Sequence, residues 1–570
     1  MKTLPNRRWL FSIIALLIPV AFIALIEISL RLIGFGQTYP LFIPNPAHPD
    51  YLLTRPDIVK RYFPFQENVP NVTLEPHFFL KDKPDNGVRI FVQGGSTAAG
   101  YPYGLGASIA GMLEHRLRAS LPGRHVEVVN TALSAVNSYT LLDFADEIIA
   151  QQPDAVLIYA GHNEYLGLLG SGSRFAIAES RAITLLQLAL KDWRIYQLMQ
   201  WLVAELSSSE TVTSDTKDTS SSRTVMAQVA QTQHIAYGSD DFVAGRTQFT
   251  ENLSLLLQKY EQANIPVFMS TVASNEKDFP PFVSQEITDA LRQQLSQLPA
   301  SYAALAQQAN SQQHAELAYA LGQFCVATQQ VCAQEWFAKA RDYDALRFRA
   351  PSHVNEVIRS FTSNDVTIVD SELRLRQRDP QGFIGNNVML EHLHPNVQGY
   401  FVIANAFYDA IADARVFDNL APIDVNTAWQ RRPIIPAEEY AGYADVQVLM
   451  SDYPFTDTPQ PVKLPAPSSA DQHFGLLKHR KELDWLGMMK QAQRYYINQK
   501  NAQMVTKVTQ IIADALPHDP MANLKAGQYL AQAERFAEAV YYYERAQRAG
   551  ALQLEETIEL LIQKSLSKNH

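Results

Sequence analysis

The sequence predicts an α/β fold in which a parallel β-sheet lies between two layers of helices, a three-layer α/β/α arrangement. Short apolar runs rich in β-branched residues recur along the chain: VRIFVQ, VEVVN, AVLIYA and IPVFMST. Turn residues follow each run, and helical stretches such as SIAGMLEHRLRASL and FTENLSLLLQKYEQAN separate most of them. This alternation is typical of a parallel sheet covered on both faces. In such sheets, reactive side chains collect beyond the carboxyl ends of the strands.

Length and composition limit the classes of protein that this chain can represent. With 570 residues it is too long for one compact core, and we expect roughly two to four domains. Hydrophobic residues make up 47% of the sequence and charged residues 19%, so most of the chain should fold. The net charge of −10 argues against a nucleic-acid-binding protein, because phosphate contacts need clustered Lys and Arg.

The N-terminus carries a predicted membrane anchor. Lys2, Arg7 and Arg8 precede the apolar run WLFSIIALLIPVAFIALI, which continues through ISLRLI and is long enough to cross about 30 Å of hydrocarbon. A cleaved signal peptide, the alternative, would have a shorter apolar region ending in small residues. Because the basic residues precede the span, we predict a cytoplasmic tail (1–8), a transmembrane anchor (9–33) and a periplasmic remainder. The expected location is the inner membrane of a bacterium, crossed once.

The rest of the chain divides by composition into four predicted segments. They are an irregular lead-in rich in Pro, Tyr and Phe (34–85), the α/β domain (86–422), a Pro-rich, semi-extended linker (423–480) and a helical domain (481–570). Two features interrupt the α/β domain: a Ser/Thr-rich stretch that we expect to be a flexible surface loop (207–223) and a helical insertion (299–345).

Two helical stretches resemble the tetratricopeptide repeat. Matching small and aromatic residues fall at Ala333, Phe337 and Ala340 in the insertion, and at Gly527, Ala539, Tyr543 and Ala546 near the C-terminus. For the insertion, an amphipathic hairpin without a binding role is the favoured interpretation. For the C-terminal unit, a surface that docks a protein partner and a structural brace remain equal alternatives.

Cys325 and Cys332 are the only two cysteines of the chain. In an oxidising compartment such a nearby pair can form a disulfide, and two buried free thiols are the equal alternative. No His or acidic cluster lies at ligand spacing from them, so we predict no metal site. We expect no organic cofactor either.

Ser96 is a candidate nucleophile. It follows two glycines at the end of the apolar run VRIFVQ, so a tight turn would expose it at the reactive edge of the sheet. A candidate base lies in MLEHLHPNVQGY, where Glu391 precedes His394 by one helical turn and can orient its imidazole. His392 is the competing base, but its position next to Glu391 is poor geometry for a local hydrogen bond. Ordinary turns and a core histidine are the alternative to this interpretation.

Donors to a negatively charged oxygen also follow predicted strands. Asn163 lies just after AVLIYA, where its side-chain amide could donate to developing charge, and the loop TALSAVNSY after VEVVN offers backbone N–H groups. Tyr101, Tyr165 and Asn275 lie near the same edge, and we predict that they line a substrate pocket. Core packing or a polar turn is the alternative for these three residues.

The ordered set GGST, N-x-x-x-x-(small), GHNE and E-x-x-H-P-N resembles the four sequence blocks of the SGNH (GDSL-type) hydrolase superfamily over residues 88 to about 410. The resemblance implies a flavodoxin-like domain with Ser96 as nucleophile, His394 as base and Asn163 as oxyanion donor. It also implies that the N–H groups of Ser96 and Ala135 complete the oxyanion hole. Two positions depart from the family pattern: Ala135 stands where glycine is usual, and Glu391 where aspartate is usual.

These patterns predict a membrane-anchored, periplasm-facing serine ester hydrolase that forms an acyl-enzyme. The expected substrates are O-acyl or O-acetyl groups of envelope glycans, or lipid esters. An O-acyltransferase with the same acyl-enzyme, and a tetratricopeptide-like scaffold with a vestigial hydrolase domain, are the alternatives. A nucleotide-binding domain is disfavoured because GGSTAAG lacks the spacing of the phosphate-binding glycine motifs.

Overall fold

The computed structural model describes residues 7–65, 72–170, 180–209, 224, 226, 234–363 and 365–568. Its strands are β1 (Phe42–Pro44), β2 (Tyr51–Thr54), β3 (Phe78–Leu80), β4 (Gly87–Gly94), β5 (His125–Asn130), β6 (Ala155–Tyr159), β7 (Val267–Ser270) and β8 (Val366–Val369). Strands β4 to β8 form one parallel sheet in the order β5-β4-β6-β7-β8. The predicted α/β fold with a parallel sheet is therefore confirmed.

Helices flank this sheet and make up most of the other regular structure of the described residues. Before the C-terminal region they are α1 (Arg7–Leu32), α2 (Ser96–Ala99), α3 (Ile109–Ser120), α4 (Ser138–Ile149), α5 (Arg181–Leu190), α6 (Arg194–Ser209), α7 (Asp240–Gln262), α8 (Asp289–Ser296), α9 (Tyr302–Gln312), α10 (Ala315–Ala327), α11 (Ala333–Tyr343), α12 (Ser352–Ser360), α13 (Ser371–Arg376) and α14 (Val397–Asp413). Those that follow are α15 (Val425–Arg431), α16 (Pro436–Met450), α17 (Ala470–His479), α18 (Trp485–Asn498), α19 (Ala502–Ala515), α20 (Pro520–Gln532), α21 (Phe536–Arg548) and α22 (Glu555–Lys568).

The core lies between the sheet and two helix pairs. Helix α3 packs with α14, and α4 packs with α7. Strand order places α3 in the crossover from β4 to β5 and α4 in the crossover from β5 to β6, so right-handed connections put the two pairs on opposite faces. All residues of β4, β5, β6 and β7 are buried, which explains why these runs read as apolar in the sequence.

The predicted lead-in contains regular structure that the sequence analysis missed. Strands β1, β2 and β3 form an antiparallel sheet, and a 3₁₀ turn spans Ile58–Arg61. Arg61 ties this segment to α4 through an ion pair with Asp143, 3.1 Å between Nη1 and Oδ2. Strands of three or four residues carry too little periodicity to be recognised, so the prediction of an irregular segment over 34–85 was wrong.

The predicted linker is also largely helical. Residues 423–480 hold α15, α16 and α17, and the longest stretch without regular structure lies between Met450 and Ala470. Helix α17 packs closely on α16, since a Cβ on Gly475 would lie 2.3 Å from the carbonyl oxygen of Ala437. The prolines that suggested an extended linker lie mostly in the connection between the two helices. The expected semi-extended linker is therefore corrected to a packed helical segment.

The predicted insertion contains helices, and the first of them, α8, lies before residue 299. Helices α8 to α11 enclose a small apolar core of their own, and Gly322 of α10 allows the ring of Phe337 to pack against the backbone. Cys325 and Cys332 form a disulfide at the end of α10. The stretch 207–223 falls largely outside the described residues, except that its first three residues end α6.

The C-terminal helices brace the α/β domain. Arg118 of α3 donates hydrogen bonds to Asp514 and to the hydroxyl of Tyr542, each at 2.7 Å. The hydroxyl of Tyr541 donates to the carbonyl oxygen of Val126 on the edge strand β5, at 3.3 Å. Helices α20 and α21 pack as a pair in which Gly527 lies against the ring of Tyr543. This packing covers a sheet edge, whereas membership of the tetratricopeptide family and a protein partner stay predictions.

Helix α1 stands apart from this core. An 18-residue window within its segment Ser12–Leu32 has a mean hydropathy of 2.7 and is not buried by the rest of the chain. At 21 residues, it is long and apolar enough to span a membrane.

Candidate active site

Ser96 lies on a turn that only small residues can form. Strand β4 ends at Gly94, Gly95 precedes α2, and Ser96 is the first residue of that helix. A Cβ on Gly94 would lie 2.1 Å from the carbonyl oxygen of Tyr159, and one on Gly95 would lie 2.7 Å from the side-chain amide of Asn163. The two glycines therefore let the turn approach β6 and Asn163 closely. This places Ser96 at the carboxyl edge of the sheet, as the sequence predicts.

His394 contacts the hydroxyl of Ser96. Its Nε2 lies 2.7 Å from Ser96 Oγ, although the two residues are far apart in sequence. On the other side of the ring, Nδ1 contacts Oε1 of Glu391 directly. The backbone N–H of His394 donates to the same carboxylate oxygen at 2.9 Å. The three side chains thus form a continuous hydrogen-bonded series from hydroxyl to buried carboxylate.

The loop between α13 and α14 creates this arrangement. The backbone N–H of Leu390 donates to the carbonyl oxygen of His394 at 2.8 Å. Met389 and Pro395 form an isolated antiparallel β-bridge. The resulting tight turn brings Glu391 and His394 to the same side. Within this turn the glutamate side chain of Glu391 reaches the imidazole of His394.

His392 contacts the second carboxylate oxygen of Glu391. Its Nδ1 contacts Oε2 of Glu391, and its ring lies among four phenylalanine rings, those of Phe279, Phe282, Phe348 and Phe455. Its Nε2 is buried and has no hydrogen-bond partner among the described residues. The expectation of poor hydrogen-bond geometry between His392 and Glu391 was wrong. His394, however, is the histidine that reaches Ser96.

The side chains of Glu391, His392 and His394 bring three possible metal-ligand atoms close together. One atom from each of Glu391, His392 and His394 lies within 4.8 Å of the others, close enough to hold a metal ion. Both Nδ1 atoms already contact the carboxylate, and the remaining nitrogen of His394 faces Ser96. Hydrogen bonds of the two imidazoles with Glu391 and Ser96 account for the short distances between these atoms.

Burial keeps the imidazole of His394 neutral. Removal from water lowers the pKa of His394 to about 3, because the charged form loses its hydration. At neutral pH its Nε2 can then accept a proton from Ser96. The carboxylate of Glu391 beside Nδ1 favours the imidazolium that this transfer would form, and it holds the proton of the neutral ring on Nδ1.

Ala135 and Asn163 lie beside Ser96 in one cavity. The backbone of Ala135 is left-handed, with φ +57°. Gly167 joins the two loops, since a Cβ there would lie 2.5 Å from the Asn163 carbonyl oxygen and 3.1 Å from that of Ala135. The backbone N–H of Leu168 also donates to the Ala135 carbonyl oxygen at 2.7 Å. These contacts fix both candidate oxyanion donors near the nucleophile.

Asn130, the last residue of β5, holds the loop that carries Ala135. Its side-chain amide donates to the carbonyl oxygen of Ala98 in α2 at 3.0 Å, and its Oδ1 accepts from the backbone N–H of Ala132 at 3.0 Å. The N–H of Leu133 donates to the carbonyl oxygen of Gly94 at 3.1 Å. This asparagine therefore positions the oxyanion loop against the nucleophile turn.

The other polar residues of the GHNE stretch support the loop from behind. Glu164 accepts from the hydroxyl of Ser138 at 2.7 Å and from its backbone N–H at 3.1 Å, so it anchors the start of α4. Burial raises the pKa of Glu164 to about 7, and hydrogen bonds to Ser138 and Gln248 oppose that rise. His162 accepts from the backbone N–H of Ala350 at 3.2 Å, and burial lowers its pKa to about 3.

The three predicted pocket residues have different positions. Tyr101 lines the cavity, with its ring centroid 4.7 Å from that of His394. Tyr165 is fully buried and donates to the carbonyl oxygen of Phe242 in α7 at 3.0 Å, so its placement in the pocket was wrong. Asn275 is also buried away from the cavity, and this prediction was wrong too. Its N–H donates to the His392 carbonyl oxygen at 2.8 Å, so it supports the loop that carries the histidines.

The cavity has a volume of about 480 Å³, and one wall comes from the segment predicted to be a linker. Helix α16 contributes Asp445, Val448 and Leu449, and the end of α17 contributes His479. Asp445 contacts His479 Nδ1 at 2.7 Å and Lys478 Nζ at 3.3 Å. Sequence reasoning missed this wall because nothing in the local pattern relates these residues to Ser96.

Comparison with known proteins yields little. No protein-family model and no curated protein matches this chain. Among solved structures, the chain is similar to a catalytic mutant of an acetylxylan esterase from Geobacillus stearothermophilus, with 13% sequence identity and a TM-score of 0.22. The match covers 58% of this chain and 96% of that chain. Because the TM-score is this low, we base no conclusion on the likeness.

Proposed function

We propose that this protein is a serine ester hydrolase that works through an acyl-enzyme on Ser96. The observation that carries the proposal is the 2.7 Å contact between Ser96 Oγ and His394 Nε2, with the buried carboxylate of Glu391 on the opposite ring nitrogen. Ala135 and Asn163 line the same cavity, where an ester carbonyl would lie. This combination supplies a nucleophile, a base, an orienting carboxylate and oxyanion donors.

In the proposed mechanism, His394 Nε2 takes the Ser96 proton as Oγ attacks the ester carbonyl carbon. The oxygen that becomes negative accepts hydrogen bonds from the N–H groups of Ser96 and Ala135 and from the Asn163 amide. Each such donor is worth about 3 kcal/mol of transition-state stabilisation. The imidazolium then protonates the leaving alcohol. Water, activated by the same imidazole, attacks the acyl-enzyme and regenerates Ser96.

The proposed substrates are O-acyl or O-acetyl groups of envelope glycans, or lipid esters. The apolar helix α1 supports a membrane anchor, which would hold the α/β domain on the periplasmic side. The cavity supports either substrate class, because apolar side chains such as Val448 and Leu449 share it with the charged group around Asp445. Transfer of the acyl group to another hydroxyl would use the same intermediate and is the second candidate.

The first test is hydrolysis of p-nitrophenyl esters of increasing chain length by the detergent-solubilised full chain. We expect turnover by the parent and a loss of at least about 1,000-fold in the Ser96→Ala variant, because the acyl-enzyme cannot form. Ser134→Ala is the matched control, since Ser134 lines the same cavity but has no contact with the histidine, and it should retain activity. Equal rates in the parent and Ser96→Ala, with both folded, would sink the proposal and favour a scaffold.

The chain-length profile and an added acceptor separate the remaining candidates. Activity restricted to acetyl esters would favour glycan deacetylation, and a preference for long chains would favour lipid. Formation of acylated glycan from p-nitrophenyl acetate at the expense of free acetate would favour transfer.

A further inference from the structure

Helices α5 and α6 carry an apolar surface that faces away from the protein. On α5 the exposed large side chains are Ile183 and Leu186, and on α6 they are Met199, Trp201, Leu202, Val203 and Leu206. The spacing of three, four and seven residues places Met199, Leu202, Val203 and Leu206 on one face of α6. Trp193, in the turn between the helices, is also exposed. A soluble surface would carry polar residues at these positions.

The opposite faces of the two helices are firmly held. On α5, Thr184 and Leu188 are buried. On α6, Gln197 is buried, accepts from the backbone N–H of Gln37 at 3.0 Å and donates to its carbonyl oxygen at 2.7 Å. Arg181 donates to the side chain of Asn252 in α7 at 3.0 Å. The outward direction of the apolar face is therefore fixed by packing.

The pair is attached to the last two turns of α1. The carboxylate of Glu27 accepts from the backbone N–H of Ile195 in the first turn of α6 at 3.0 Å, where the positive end of the helix dipole favours an anion. Arg31 donates to the carbonyl oxygen of Asp192 at 3.1 Å. The ring of Phe35, just after α1, lies 6.4 Å from that of Trp201. Helix α6 therefore begins beside the end of the span.

These contacts place the apolar face at a defined depth. The segment Ser12–Leu32 has 21 residues, which at ~1.5 Å per residue matches the ~30 Å of a hydrocarbon core. If this segment spans the bilayer, Arg31 lies at its boundary with water, and Glu27, which pairs with Arg31, lies about one turn (~6 Å) deeper. The exposed face of α5 and α6 continues from that boundary, where amphipathic helices and tryptophan side chains insert.

We infer that α5 and α6 form a second membrane contact, lying in the interfacial layer of the leaflet in which α1 ends and burying their apolar face in phospholipid. Two contacts would restrict rotation of the α/β domain about α1 and hold it in one orientation on the membrane. This inference rests on α1 as a membrane span and is independent of ester hydrolysis.

The test uses the full chain in phosphatidylcholine vesicles, with single cysteines labelled by an environment-sensitive fluorophore. Val203→Cys and Leu206→Cys report on the apolar face, where the parent side chains are 64% and 69% exposed. Leu552→Cys is the matched control, because Leu552 is an exposed apolar residue, at 83%, in the C-terminal region. Leu17→Cys reports whether α1 itself enters the bilayer. The disulfide keeps Cys325 and Cys332 unreactive toward the label.

We expect nitroxide-labelled lipid to quench the labels at 203 and 206 at least about three-fold more strongly than the label at 552. Strong quenching at 17 together with control-level quenching at both 203 and 206 would overturn the inference while leaving the span intact. Control-level quenching at 17 as well would remove the span on which the inference depends and overturn both. Unchanged thermal unfolding of each variant verifies that the fold is preserved.

Discussion

Ala135 adopts a backbone conformation that alanine normally avoids. A left-handed φ of +57° costs an L-residue about 1–2 kcal/mol, and glycine escapes this cost. The residue keeps that conformation because Leu168 donates to its carbonyl oxygen and Gly167 packs beside it. The conformation turns the loop so that Ala135 borders the cavity beside Ser96. In the proposed mechanism its backbone N–H, rather than its methyl group, does the chemistry.

We therefore expect Ala135→Gly to preserve activity. The variant relieves the left-handed strain, but glycine gives the unfolded chain about 0.4–1 kcal/mol more conformational entropy, so stability should stay within about 1 kcal/mol of the parent. The turnover number should change by no more than about three-fold, because the N–H is kept. Ester turnover and urea unfolding would measure both effects. Ala135→Val, whose β-branched side chain resists φ > 0, should instead lose both activity and stability. A hundredfold loss in the glycine variant would contradict a role through the backbone.

The three residues that are predicted to lie at one edge of the sheet, and that lie there in the structure, share one property. Ser96, Ala135 and Asn163 each follow a strand of the parallel sheet by only a few residues, so topology alone delivers them to one edge. Tyr165 and Asn275 also follow strands, yet their side chains turn into the core and into the histidine loop. Strand order predicts the position of the backbone after each strand. The direction of a side chain depends on contacts with elements outside the sheet, such as α7.

At the scale of elements, the cavity wall formed by α16 is the main feature that the sequence did not reveal. Eight residues of this helix are buried, among them Ala437, Ala441 and Ala444, so the helix lacks a clear polar face. Its contact with the α/β domain depends on Gly442, because a Cβ there would lie 2.7 Å from the ring of Tyr103. Such a close approach between distant segments leaves no local signal beyond the glycine itself.

Gly442→Leu should push α16 away from Tyr103. Overpacking of this kind typically costs about 1–3 kcal/mol, and we expect a loss of stability in that range. Because Val448 and Leu449 lie on the same helix, the KM for long-chain esters should rise several-fold while the turnover number for the acetyl ester changes little. Chemical unfolding and ester kinetics would measure these effects. Tyr443→Leu, at an exposed position on the same helix, is the control. An unchanged KM together with an unchanged stability would mean that the Tyr103 contact does not set the cavity wall.

At the scale of the whole molecule, buried histidines couple folding to pH. Burial lowers the pKa of His115 and His353 to about 4, and that of His162 and His394 to about 3. Below pH 6.5 these histidines bind protons in the unfolded chain but stay neutral in the folded chain. Each of them therefore lowers the free energy of unfolding as the pH falls, by up to about 1.4 kcal/mol per pH unit.

Two buried carboxyl groups act in the opposite direction. Burial raises the pKa of Glu164 and Glu438 to about 7, so the folded chain holds their protons more tightly and gains stability as the pH falls below 7. Burial also lowers the pKa of five further histidines, among them His77, His125 and His392, so the histidines outweigh Glu164 and Glu438. The free energy of unfolding should therefore decrease as the pH falls from 6.5 to 4.5.

Activity should follow folding rather than titration of His394. Because the pKa of His394 is lowered to about 3, the imidazole stays neutral in the folded chain throughout this range and can still accept the Ser96 proton. We expect kcat/KM for p-nitrophenyl acetate, corrected for the folded fraction, to stay flat from pH 7 to pH 5 while the urea midpoint falls. His115→Gln should reduce the pH slope of stability by about one proton without altering kcat/KM, since His115 lies on α3 away from Ser96. An acid limb in kcat/KM centred near 6.5 in the folded parent would contradict the lowered pKa of His394 and indicate an imidazole open to water.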